Sequence, residues 1–324
     1  IGSLHRTNRL QLEHPKLVQL FDRFATYTGS SPYRASGMLQ VIAHLEHNAG
    51  AFFPDGGMYT LVRCLVKLAE ELGVQYYYNT RVEEIVLEGR QVKGVRTNAT
   101  TIPADVVVSN MDIANTYQHL LPSIKTPQRV IRQERSSAAL IFYWGVKGTF
   151  EQLSLHNIFF SADYRQEFSE IFEGKTVPQD PTVYVNITAK EQPSDAPAGQ
   201  ENWFVMINVP AYQGQDWESL IAQARNQVLD KLRRMLGKDI EPLKEHDRIW
   251  DPRGNEQETL AYQRAHYGAS ANQMLATFLR HPNFSRTLQG LYFCGGTVHP
   301  GGGIPLCLLS AKIVADLIAS GNYQ

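Results

Sequence analysis

The sequence is short of cysteine, of net charge and of long apolar runs, and each shortage removes a class of protein. Its three cysteines, Cys64, Cys294 and Cys307, share no C-x-x-C spacing. A disulfide framework and a cysteine-based zinc site are thereby excluded, and a reducing compartment is expected. Lys and Arg number 31 against 32 Asp and Glu, for a net charge of −1. A nucleic-acid binder normally carries an excess of basic residues, so nucleic acid is not an expected partner. The longest nearly apolar run, Ala138 to Val146, falls far short of the about 18 residues that a spanning helix needs. The opening IGSLHRTNRLQ lacks the apolar centre of a signal peptide. There is no H-E-x-x-H motif, no defensible Ser–His–Asp arrangement and no internal repeat. No metal site is therefore expected and no catalytic residue is assigned.

What remains is an ordinary globular composition, 43% apolar and 19% charged over 324 residues, enough for two domains with sizeable cores. A helix is expected near Lys16–Tyr27, and Met38, Val41, Ile42 and Leu45 recur at helical spacing. His44 and His47 lie three apart on that stretch and read as a solvated face, since no third ligand is evident. Leu61, Leu65, Leu68 and Leu72 mark one face of an amphipathic helix that Gly73 ends. Strands are then expected at 74–78 (VQYYY), 81–88, 91–97 and 104–110, followed by a helix from Asp112 to Leu121. The middle of the chain offers strands at 137–146, 155–161, 182–188 and 203–209, a loop over 190–202, and a long helix from Trp217 to Met235 before Gly237. Toward the end come a helix near Ala271–Leu279, a strand over 290–294 and a last helix from Pro305 to Ala319.

The most specific segment is 290–316, GLYFCGGTVHPGGGIPLCLLSAKIVAD. A buried strand leads into a loop carrying Gly295, Gly296, Gly301, Gly302 and Gly303, and Pro305 falls in the first turn of the following helix. Glycines admit a close-approaching ligand, and the positive end of the helix favours a group bearing negative charge. GLYFCGGTVHPGGGIP strongly resembles the C-terminal signature of the phytoene desaturase family, FAD-dependent carotenoid desaturases and isomerases related to the monoamine oxidases. FPDGGMYTLVRCLVKLAEELGV, NTRVEEI and ADVVVSN resemble the family's internal block in the same order. Leu306 stands where many members have Gly, which is closest to the branch acting on hydroxylated acyclic carotenoids.

The resemblance implies that the backbone at Val82 meets the adenine of FAD. It implies that Gly295, Gly296 and Thr297 approach the pyrophosphate and ribityl region, and that Gly303, Ile304 and Pro305 face the pyrimidine edge of the flavin. The implied reaction removes two hydrogens from adjacent carbons of a polyene by hydride transfer to flavin, with oxygen or a quinone as the final acceptor. Its carotenoid substrate implies peripheral contact with a membrane from the cytoplasm, through an apolar surface rather than a spanning helix. His299 lies in the flavin loop and is read equally well as structural or as a contact.

One departure from the family is plain: the G-x-G-x-x-G unit that holds the FAD pyrophosphate is absent. With Ile1 in place of Met, this leads to the expectation of a piece of a longer polypeptide. The expected fold class is α/β, an incomplete Rossmann-like FAD-binding domain (56–112 and 285–324) interleaved with a mixed α+β substrate domain (1–55 and 113–284). A flavin-dependent isomerase and a non-catalytic apolar-lipid-binding module are the alternatives to a desaturase.

Overall fold

A computed structural model describes residues 2–253, 268–272 and 280–321. The expected helix at Ala271–Leu279 lies almost wholly outside these residues. Compactness divides the chain into one unit of Ile1–Gln40, Tyr77–Ser136 and Glu256–Gln324, and another of Val41–Tyr76 and Ser137–Asn255. These lines fall at other positions than the functional division expected above.

The first unit begins with helices α1 (Leu4–Gln11) and α2 (Pro15–Asp22), the latter continuing as a 3₁₀ turn over Arg23–Thr28. Ser3 caps α1 by accepting from the Arg6 N–H, and Pro15 opens α2 where its missing N–H costs nothing. Strands β1 (Val82–Glu88), β2 (Gln91–Thr97) and β3 (Thr101–Pro103) form an antiparallel meander. Beside it, β4 (Val107–Ser109) and the distant β10 (Leu291–Phe293) make a two-stranded parallel pair in the register Leu291–Val107, Tyr292–Val108 and Phe293–Ser109. After β4, Asp112 caps the short α5 (Ile113–Asn115) by accepting from the Ala114 and Asn115 amides, and the helix widens to π geometry over Thr116–Leu120. Ile85, Val92, Ile113, Tyr117, Leu291 and Phe293 share one apolar core. A one-turn helix, α6 (Gln128–Ile131), closes this segment, and the final helix α9 (Ile304–Ala319) ends the unit.

The second unit holds α3 (Gln40–Ala49), which starts at the boundary, and α4 (Tyr59–Glu71). It also holds a five-stranded antiparallel sheet, ordered β6 (His156–Phe159), β7 (Val183–Asn186), β8 (Gln200–Val209), β5 (Ala138–Lys147), β9 (Lys244–Trp250). The long β5–β8 ladder runs in unbroken register from Ala138–Val209 to Lys147–Gln200. Burial alternates along most of β8, as a sheet with one face on the core requires. Trp144, Trp203, Val205 and Ile207 meet Trp217, Ile221, Ala224, Val228 and Leu232 of α8 (Trp217–Leu236) in the largest core cluster. Asp216 caps that helix and Gly237, at φ 67°, ends it. The short α7 (Tyr164–Ser169) presents Glu167, buried and accepting from Ser161 Oγ, Thr182 Oγ1 and the Thr182 amide.

Two expectations are corrected, and one strand is added that the sequence reading did not include. VQYYY (74–78) is not a strand, because a strand exists only through a ladder partner and none pairs with it among the described residues. The charged segment KEHDRIW is a strand, β9, at the sheet edge beside β5. The loop at 190–202 is shorter than expected, since a 3₁₀ turn over Thr188–Lys190 reaches its first residue, another covers Pro193–Asp195, and β8 already begins at Gln200. The leucines of α4 lie on one face as read, yet Leu61, Leu65, Leu68 and Leu72 are all exposed.

Candidate cofactor site

The glycine loop runs from the end of β10 to the start of α9, and three buried polar residues fix its course. Ser310 of α9, fully buried, accepts from the Gly295 amide at 3.1 Å and from Asn283 Nδ2 at 2.8 Å. Asn283, also buried, donates to the Phe293 and His299 carbonyls at 3.1 and 2.8 Å, bracketing the loop at both ends. Arg280 donates to the Gly296 carbonyl at 3.0 Å and to the Ala269 carbonyl at 3.2 Å. Each of these groups would cost free energy if buried without such partners.

Glycine is demanded where these contacts are tightest. Gly295 has φ 106°, and a Cβ there would collide with Asn110 Oδ1. A Cβ on Gly296 would lie 3.2 Å from Gly302 Cα, so the two limbs of the loop nearly touch. Thr297 Oγ1 accepts from the Ile113 amide at 3.1 Å, which ties the loop to the start of α5.

The mouth of the loop is different in character. Gly303 is the N-cap of α9, has φ 104° and offers no side-chain cap. A Cβ at Gly303 would meet nothing within 4 Å. Gly303, Ile304 and Pro305 are exposed, and Leu306, Leu308 and Leu309 add apolar surface beside them. The helix thus presents the free Ile304 and Leu306 amides and the positive end of its dipole toward open space. Such a terminus favours an electron-rich group, and its apolar neighbours favour a ligand that is partly apolar.

The structure therefore brings together Gly295, Gly296, Thr297, Gly303, Ile304 and Pro305. Val82 does not join them: it heads β1, half-buried opposite Thr97, and shares no described contact with the loop. His299 is exposed, with its amide bonded to the His281 carbonyl. Arg280, Asn283 and Ser310 were not expected from the sequence. The nearest signal is the polar quartet Arg280–His281–Pro282–Asn283 ahead of a strand, which has no periodicity to flag it.

His281 is joined to Tyr117 and to the backbone. His281 Nδ1 lies 2.8 Å from the Pro282 carbonyl, so it carries the proton and leaves Nε2 to accept from the Tyr117 hydroxyl at 3.2 Å. Burial lowers the His281 pKa and raises that of Tyr117, keeping both neutral. Burial also raises the Cys294 and Cys307 thiols, so neither is a ready thiolate at neutral pH. Such a site suits a bound group that brings its own chemistry.

The fold is that of a family of flavoenzymes, and the sequence agrees. Residues 2–319 match the family described as flavin containing amine oxidoreductase, and the chain belongs to that family. FAD is the cofactor that accompanies it. The chain is 50% identical over 321 residues to a 1-hydroxycarotenoid 3,4-desaturase from a Flavobacterium species, covering 99% of this chain and 66% of that protein. It is 34% identical over 314 residues to a 4,4'-diaponeurosporene oxygenase of Staphylococcus aureus, covering 95% of this chain and 63% of the relative. The chain thus spans about two thirds, or slightly less, of the curated relatives it matches. An oxidoreductase from Methanosarcina mazei has the same fold, with a TM-score of 0.68 at 16% identity, over 98% of this chain and 68% of that one. No described helix is long and apolar enough to cross a membrane.

Proposed function

We propose that the chain carries the flavin-facing and substrate-facing parts of an FAD-dependent carotenoid desaturase, acting on a hydroxylated acyclic carotenoid. The observation that carries this reading is the uncapped N-terminus of α9, with Gly303 opening onto free space. The 50% identity to a hydroxycarotenoid desaturase supports the substrate class. In this reading residues 56–112 and 285–324 serve the cofactor, and 1–55 and 113–284 serve the substrate. Val82 would meet the adenine, Gly295, Gly296 and Thr297 the ribityl and pyrophosphate region, and Gly303, Ile304 and Pro305 the flavin ring.

Bound FAD supplies the acceptor for the hydride that leaves a CH–CH unit. The chain contributes position and electrostatics. The Ile304 and Leu306 amides, at the positive end of α9, would hold the electron-rich edge of the flavin and would favour negative charge there. Ile304, Leu306, Leu308 and Leu309 exclude water from an apolar ligand. The buried Asn283–Ser310 pair holds the loop still, so little reorganisation accompanies the reaction. A polyene partitions into lipid, so the proposal includes peripheral contact with the cytoplasmic face of a membrane and a quinone or oxygen as the terminal acceptor.

Purified full-length protein should retain stoichiometric FAD and convert an acyclic hydroxycarotenoid to a product lighter by one H₂ per step. A product of unchanged mass would mark an isomerase, and apolar-ligand binding without flavin would mark a carrier. Either result overturns the desaturase reading.

A further inference from the structure

Arg280 is a charged residue where charge is costly. The residue is 7% exposed, and it lies behind the glycine loop. One guanidinium nitrogen donates to the Gly296 carbonyl and another to the Ala269 carbonyl. A third packs under Gly301, where a Cβ would stand 3.1 Å from Arg280 Nε. Ala269 belongs to a short segment that also touches the loop directly, since a Cβ on Gly268 would press 2.9 Å from Thr297 Cγ2. The fork of Arg280 therefore spans both limbs of the loop and the segment beneath it. Three separate nitrogens of one rigid plane meet three places at once; a lysine ammonium also has several donors but offers them all from a single atom, so it cannot stand at all three.

Resting on the flavin reading above, we propose that Arg280 is the positioning residue of the flavin loop. It fixes Gly296 and Gly301 so that Thr297 and the start of α9 face the cofactor in one geometry, and it places a buried positive charge behind them. Guanidinium remains charged even when burial lowers its pKa, as it does here. The charge adds to that of the helix terminus and favours the more negative, reduced state of whatever the loop holds. None of this requires Arg280 to touch the reacting atoms.

The test uses full-length protein and reads FAD affinity and the flavin midpoint potential in wild type, Arg280→Met and Arg280→Lys. Arg280→Met should weaken FAD binding about tenfold or more, the scale of losing charged hydrogen bonds to buried carbonyls, and should shift the potential to more negative values. Arg280→Lys should recover the potential, because the charge returns, while affinity stays low, because one ammonium nitrogen cannot occupy the three positions that Nη1, Nη2 and Nε hold at Gly296, Ala269 and Gly301. If Arg280→Met does not fold, Arg280→Lys decides: wild-type affinity in that variant overturns the proposal. Unchanged affinity or unchanged potential in a folded Arg280→Met protein overturns it too. Wild-type protein that holds no FAD instead defeats the flavin reading itself, and this proposal with it.

Discussion

The Gly295 amide donates to the Ser310 hydroxyl across 3.1 Å, tying the end of β10 to the middle of the helix that follows the loop. The bond fixes both ends of a loop whose own residues are largely glycine. Ser310→Ala would leave that amide, and one of the bonds made by Asn283 Nδ2, without an acceptor in a buried setting. Stability should fall by about 1–3 kcal/mol, measured as a lower midpoint of guanidinium unfolding with unchanged slope.

Gly303 and His44 give a direct contrast. Gly303→Leu fills the open space ahead of α9 and forces a side chain into φ 104°. His44, exposed on α3, bonds only Asn48 among its described partners. Flavin affinity of the full-length protein should drop by an order of magnitude or more in Gly303→Leu, a change of about 1.4 kcal/mol or greater. His44→Ala should bind as wild type. Comparable affinities in the two variants would remove Gly303 from the cofactor site.

Acid should destabilise the loop through His281. Its usual value is 6.5, and burial lowers it in the folded chain; Arg129 and Arg286 add to the lowering, and the bond to the Pro282 carbonyl opposes it. As pH falls below about 6.5, the unfolded chain takes up a proton that the folded chain resists. Stability therefore declines on acidification through that window. His281→Phe should flatten this limb of a plot of Tm against pH.

Glu167 has the opposite sign. Burial raises its pKa above the usual 4.5, outweighing hydrogen bonds from Thr182 and Ser161 and the charge of Lys231. Above 4.5 the unfolded chain releases a proton that the folded chain retains, so this contribution is lost as pH rises through the folded value. Glu167→Gln should lose less stability than wild type between pH 4.5 and pH 7. A steeper loss in the variant would show that the carboxylate, not the acid, is the form the fold prefers.

Much of the loop was legible because glycine and proline are strong local signals. The turn before α9, the N-terminal Pro305 and the strand ahead of them follow from those residues alone. The amphipathic helix α8 was equally plain, since Ile221, Ala224, Val228 and Leu232 recur at helical spacing and are all buried. VQYYY misled because aromatic and β-branched residues favour a strand without supplying its partner. KEHDRIW was overlooked for the converse reason: an edge strand can be mostly charged, and Arg225 on α8 and Lys244 satisfy its Asp247. Arg280 and Asn283 were invisible because a positioning residue is defined by which distant carbonyls it reaches, and those lie in other segments.

The pairing of Leu291 with Val107 has a kinetic consequence. Arg280, Asn283 and Ser310 anchor the glycine loop locally, but its tie to the rest of the unit, through β4 and the Ile113 amide, waits until the last stretch of chain returns to segments made far earlier. Pairings of such long sequence separation form slowly. During synthesis every strand of the five-stranded sheet and α8 is made before β10. The β4–β10 pair that carries the loop is thus completed only after the chain of the larger core has been made.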